Sequence, residues 1–297
     1  MATVTDPKTY SSIGGKVHRY SWSYSGEQYQ VVYETMEKGN PVLILPALST
    51  VSSRGEMKGI AQMLGDRYQV TVLDWLGFGE SECPRVDYNP LLFQQLLQDF
   101  VETVFDRPII LIAAGHASGY ALKLAKDKSD LVSKIILIAP TWQGPLRVMG
   151  LPEVIRNGVK NLVRSPLLGQ FLYYLNTTPS FLRLMYKRHV YVDETKLTPE
   201  FIAQKHQITS KNGARYAPAA FVTGAIDPVA NREEFLHDLS SVSMPLLLVL
   251  AENAPPKSKA EMSAMAELEV ETVRLPGTLG IYEEYSKSVA EAINNFI

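Results

Sequence analysis

The chain has 297 residues, 46% apolar and 20% charged, with a formal net charge of −2. That length carries one large domain with a full core and room for an insert, and the near-neutral balance gives no case for nucleic acid as a partner. A single cysteine, Cys83, excludes an internal disulfide framework and suits a reducing compartment.

The first residues, "MATVTDPKTYSSIGGK", have neither the apolar core of a secretory signal nor the arginines of a transit peptide. No apolar run reaches the roughly 18–20 residues that span a bilayer. The expectation is a cytoplasmic protein, with peripheral contact to a membrane left open. "KVHRYSWSY" and "EQYQVVYETM" then alternate as two strands, turned at Ser25-Gly26. "PVLILPAL", Pro41 to Leu48, is a continuous apolar run that suits a strand buried on both faces. A helix near Gly55 to Leu64 and the strand "YQVTVLDW" follow, and Cys83 falls in the loop "GESECPR" as a packed or incidental thiol. Asn89-Pro90 opens a helix to about Phe105, with Leu92, Leu96, Leu97 and Phe100 on one face. Next come "PIILIAA", a helix from Ser118 and the strand "KIILIAP".

From about Thr141 to Asp238 the strand–helix rhythm stops, and helix-like runs are punctuated by Pro152, Pro166, Pro179 and Pro199. It resumes at "MPLLLVLAEN", "PPKSKAEMSAMAEL", "VETVRLPG" and a final helix from Ser286. This alternation predicts an α/β fold with a mostly parallel sheet covered on both faces. Residues 1–140 and 239–297 form the core in this reading. Residues 141–238 form a helical lid over the carboxyl ends of the strands, where open α/β sheets place their ligands.

With these elements placed, the chain resembles the α/β-hydrolase fold superfamily from about residue 16 to 297. Two motifs carry the likeness: "DWLGFGES", Asp74 to Ser81, is similar to the turn after the fourth strand, and "GHASGY" to the nucleophile elbow Gly-His-Ser-x-Gly-Gly. "APPKSKAEM" and "LPGTLGIYEEY" resemble a cyanobacterial and plastid branch. The resemblance implies an eight-stranded sheet and a nucleophile, acid and histidine in that chain order. It also implies two backbone N–H groups for the oxyanion.

Set against that pattern, the chemistry is missing. The nucleophile slot holds Ala117, whose methyl group cannot attack a carbonyl. Ser118 is either a helix-start residue or a displaced nucleophile, and His116 packs beneath the turn. The acid slot after "PLLLVLAEN" holds Ala254, with Glu252 a solvated loop residue or a substitute carboxylate. The histidine slot is Leu279, Ile281 or Tyr282, and the last histidine of the chain is His237, on an amphipathic surface stretch. In the oxyanion loop "LPALST", Leu48 keeps a backbone donor that would pair with the N–H of Ser118. No catalytic residue, metal or cofactor is therefore expected, and Leu48, Ala117, Ser118 and Tyr282 are the ligand-binding candidates. Tyr282 would either donate a hydrogen bond to a ligand carbonyl or fill the vacated histidine space. Asp227-Pro228 reads as a helix N-cap followed by a first-turn proline.

Between Arg147 and Lys196 the lid holds eight Lys/Arg against three acids, interleaved with Phe171, Tyr173, Tyr174, Phe181, Met185 and Tyr186. Two readings stay open. In one, an apolar face packs on the sheet and the cations are solvated. In the other, the lid contacts a membrane, an apolar or amphiphilic molecule, or a protein partner. The function expected is that of a pseudohydrolase, a non-catalytic binder; the alternative is an esterase, lipase or lyase with displaced catalytic groups.

Overall fold

The computed structural model describes residues 11–36 and 39–297. Eight strands form one sheet: β1 (Lys16–Tyr24), β2 (Glu27–Met36), β3 (Asn40–Leu45), β4 (Tyr68–Leu73), β5 (Ile109–Ala114), β6 (Val132–Ile138), β7 (Leu246–Ala251) and β8 (Glu271–Leu275). Their spatial order is β1-β2-β4-β3-β5-β6-β7-β8. The first two strands pair antiparallel, β2 meets β4 antiparallel, and every pairing from β4–β3 onward is parallel. The apolar runs explain the centre of the sheet. Every residue of β5 and β7 is buried, as strands covered on both faces must be.

Helices α1 (Lys58–Leu64), α2 (Pro90–Val104) and α3 (Ala117–Asp127) follow β3, β4 and β5 in turn. The α2 start is as the sequence implies: the Asn89 side chain accepts from Leu92 N–H, Pro90 takes the first turn, and Leu92, Leu96, Leu97 and Phe100 are buried. Between β6 and β7 lie α4 (Pro145–Val148), α5 (Glu153–Arg164), α6 (Leu168–Thr177), α7 (Pro179–Met185), α8 (Pro199–Thr209), α9 (Tyr216–Thr223) and α10 (Arg232–Ser241). Helices α11 (Pro256–Ala266), α12 (Ile281–Glu284) and α13 (Ser286–Phe296) complete the chain, with α13 packed on α1.

The insert is not uniform. Helix α10 packs on α3 and sends Phe235 into the main core, so it belongs with the layers flanking the sheet. A separate small apolar cluster, built from Val51, Leu182, Tyr186, Tyr191, Leu197 and Ile202, holds the lid together. No helix among the described residues is long and apolar enough to cross a membrane.

Candidate functional site

The carboxyl ends of β3, β5 and β6 meet at one corner. Strand β5 ends at Ala114, Gly115 takes φ +52°, His116 follows, and α3 begins at Ala117. Gly115 is held on both sides: its N–H donates to Ile138 C=O (2.9 Å), and its carbonyl accepts from Thr141 N–H (3.1 Å) and Ser118 N–H (3.2 Å). A nucleophile elbow displays the residue at the strained strand-to-helix corner. That residue is Gly115, so the placement of the slot at Ala117 is corrected by two positions. A Cβ at Gly115 would sit 3.0 Å from Ala47 Cβ and 3.9 Å from Thr141 Oγ1, facing the loops after β3 and β6. Ala117 already lies in the helix and is fully buried, as is Ser118. The glycines Gly115 and Gly119 suggested the wrong frame. The small residues Ala113 and Ala117, two places either side of Gly115, give the right one.

At the corner Gly115 carries no side chain, and in the other frame Ala117 carries only a methyl group. Ser118 Oγ is buried without a hydrogen-bond partner. Ala254 is buried after β7, and Glu252 points to solvent. In the loop after β8, Leu279 is half-buried, while Ile281 and Tyr282 are buried in α12. All five histidines of the chain are otherwise engaged or exposed. His18 stacks on Tyr33, His206 Nδ1 contacts Thr177 C=O, and His189 and His237 lie on the surface. His116 is the one beside the corner, with Nε2 3.2 Å from Asp227 Oδ1 and 3.3 Å from Ile226 C=O. Nε2–H is thus the donor to this pair of acceptors, and Nδ1 has no partner. The ring is buried edge-on against Phe221, as expected of a packing histidine.

The lid closes over the loop that follows β8. Gly280 N–H donates to Val190 C=O, Thr278 Oγ1 to His189 C=O, and the N–H groups of Val192 and Asp193 to the Glu284 carboxylate. Behind them Lys205, from α8, reaches Glu283 (2.8 Å) and Glu56 (3.3 Å) in a buried cluster with Tyr186 and Tyr191. Burial pushes the Glu56 carboxyl up to about 8, opposed by the Lys205 ammonium and reinforced by the Glu283 charge. Burial would lower the Lys205 pKa, but Glu283 and Glu56 together raise it. Tyr282 is buried against the same charges, and burial is the main reason its phenol is raised.

The four ligand-binding candidates, Leu48, Ala117, Ser118 and Tyr282, are all buried, and none lines the two cavities described next. One cavity is about 10 Å³, room for roughly one water, and lies under the lid against Ser52, Gly77, Cys83 and Ala214. The other is a groove of about 340 Å³ at the β7–β8 edge, along Leu246, Leu268 and Glu271. Burial raises the Cys83 thiol to about 11, with a smaller opposing effect of Lys211, which makes it a packed residue. Among the described residues no group of three or more His, Cys, Asp or Glu is arranged to hold a metal ion.

The sequence profile described as the alpha/beta hydrolase fold matches residues 40–256, most of the chain. The chain belongs to the α/β-hydrolase fold family. It is 21% identical over 188 residues to 2-hydroxy-6-oxo-6-(2'-aminophenyl)hexa-2,4-dienoic acid hydrolase of Metapseudomonas resinovorans, a match spanning 61% of this chain and 62% of that protein. Uncharacterized proteins of Mycobacterium tuberculosis match at 22% identity over 37% of this chain and 32% of their own length. Among solved structures, a probable hydrolytic enzyme from Pseudomonas aeruginosa superposes with TM-score 0.74 at 16% identity, covering 96% of this chain and 95% of that one. A thermophilic esterase from Thermogutta terrifontis gives 0.70 at 19% identity, with 94% and 97% covered. At these identities the structural likeness establishes the fold.

The family motif "DWLGFGES" works as scaffolding here. Asp74 accepts from the Arg54 guanidinium, from Arg54 N–H (2.6 Å) and from Glu80 N–H (2.9 Å). Its carboxylate fills the space where a Cβ on Gly79 would be, 2.1 Å away, and Gly79 sits at φ +53°, so glycine is required there. Arg54 also reaches Glu34 and Glu80, a buried cation satisfied by three carboxylates. The N-cap reading of Asp227 is overturned. Helix α10 starts four residues after Pro228 with Asn231 as its cap, and Asp227 instead accepts from Gly144 N–H (2.8 Å) and Arg147 Nη1 (2.9 Å). It is thereby the knot that joins His116 to the root of the lid. Sequence spacing could not show this, because the partners lie about eighty to a hundred and ten residues away.

Proposed function

We propose that this chain is a non-catalytic member of its family, acting by binding through its surface. The observation that carries the reading is the glycine at the elbow corner, with the one histidine beside it, His116, packed against Asp227 and Phe221: among the described residues no attacking oxygen stands at the corner with a free imidazole to take its proton. The loss of the acid position at Ala254 agrees. The buried candidates around the corner argue against a roomy ligand cleft, so an apolar ligand would need the lid to lift first. The lid in this reading is the cap of residues 141–238, its last helix shared with the core layer. The likeness of "APPKSKAEM" and "LPGTLGIYEEY" to a photosynthetic branch remains a proposal resting on those two stretches.

The test is a fluorophosphonate probe together with a panel of short-chain esters and the hexadienoic acid named for the Metapseudomonas relative. No labelling and no turnover above the uncatalysed rate is the expected result; stoichiometric labelling at Ser118 would revive an esterase with a displaced nucleophile. A Gly115→Ser variant sharpens it. A side chain at this positive φ costs about 1–2 kcal/mol, and the variant is expected to stay unlabelled because the base is missing too. Rapid labelling of Gly115→Ser would mean that a base has been overlooked.

A further inference from the structure

The outer face of α5, α6 and α7 carries large apolar side chains into solvent. Val154 is 83% exposed, Leu167 87% and Phe171 57%, with Ile155, Leu168 and Tyr174 more than half exposed beside them. Helix α5 has no buried residue at all. Of the large apolar residues exposed among the described part of the chain, nearly all fall between Met149 and Val192. Exposed apolar patches of this extent mark interaction sites.

The same segment is strongly basic. Residues 147–192 hold seven Lys/Arg and one acid, Glu153, in a chain whose net charge is −2. Arg147, Lys160 and Lys187 pair with Asp227, Asp87 and Glu194, which leaves Arg156, Arg164, Arg183 and Arg188 as the cations that set the sign of the face. Arg156, Arg164 and Arg183 donate to the carbonyls of Thr223, Val86 and Leu197, which are neutral acceptors, so their charge is kept. Arg188 is exposed at the end of the patch.

We infer that this face docks on an anionic lipid bilayer, with the apolar residues of α5–α7 in the interface and the cations toward the headgroups. Charge complementarity chooses the occupant. A second copy of the chain in a two-fold contact would set this cationic surface against itself, whereas an anionic bilayer offers both the apolar layer and the opposite charge. The contact is peripheral, since no described helix is long and apolar enough to cross. It does not depend on the absence of catalysis: a labelled, active protein could dock the same way, so the two proposals fail separately.

The test is flotation of the full chain with vesicles of phosphatidylcholine alone and with about 30% phosphatidylglycerol. Binding to the anionic vesicles is expected to exceed that to the neutral ones by about tenfold or more, and to weaken between about 0.1 M and 0.5 M salt. Leu167→Asp with Phe171→Ser should lose about tenfold of it with an unchanged melting temperature, and Arg188→Glu should lose a smaller part. As a second reading, Phe171→Trp should show a blue-shifted emission with anionic vesicles only. No flotation with anionic vesicles overturns the proposal. So does full binding by the double variant, or a dimer in sedimentation that Leu167→Asp dissociates.

Discussion

The lid has two parts built on opposite principles. Its later part, from Tyr186 through α8, faces the core with polar and charged groups: Glu284 gathers two backbone N–H groups, and Lys205 sits between two glutamates. Its earlier part, α5 to α7, is tied down by arginines reaching backbone carbonyls and turns most of its large apolar side chains outward, Tyr173 and Leu182 being the ones it buries. An amphipathic stretch ordinarily buries its apolar face. Here the polar ties fix the geometry, and the apolar surface is left over for something else. The contrast separates what stabilises the lid from what the lid presents.

The largest expected break in that contrast is Lys205→Ala. It strands Glu56 and Glu283 in a buried site, and removing one partner of such a cluster costs about 3–5 kcal/mol. Urea denaturation measures it, and a loss under about 1 kcal/mol would mean the inner part is not held by charge. Glu284→Ala should come next, at about 1–3 kcal/mol, because the N–H groups of Val192 and Asp193 lose their acceptor. Glu56→Gln should give a smaller, pH-dependent effect. The folded chain keeps the Glu56 proton up to about 8 while the unfolded chain releases it in the ordinary glutamate range. The wild type therefore loses stability as pH rises between those values, and the glutamine variant does not. Its advantage should be smallest near the acid end of that window and grow toward about 8; a constant difference would sink the reading. Smallest of all should be Val154→Ser or Tyr174→Ser on the outer face, within about 0.5 kcal/mol of wild type. A large loss there would show that these residues are packing after all.

Most of the fold could be read from the chain because its strands are either alternating or wholly apolar, and its helix starts carry local signals such as Asn89-Pro90. The site was harder. The elbow frame depends on one dihedral angle, at Gly115, that the glycine spacing misplaced. The Asp227 contacts and the Lys205 cluster depend on side chains far apart in sequence, which no periodicity records. The lid's orientation stays open in the sequence for a related reason: amphipathicity says that a face exists, not which way it turns. Both readings of the cations fell short, since neither foresaw arginines spent on carbonyls.

Cys83 offers a practical consequence. Gly213, in the turn between α8 and α9, leaves no room for a side chain above the Cys83 carbonyl, where a Cβ would come within 2.1 Å. Raising that turn would uncover the chain's single thiol and bring its acidity back toward an ordinary value. Alkylation kinetics on the unmodified protein would then count the excursions in which the cover comes away, with no engineered label.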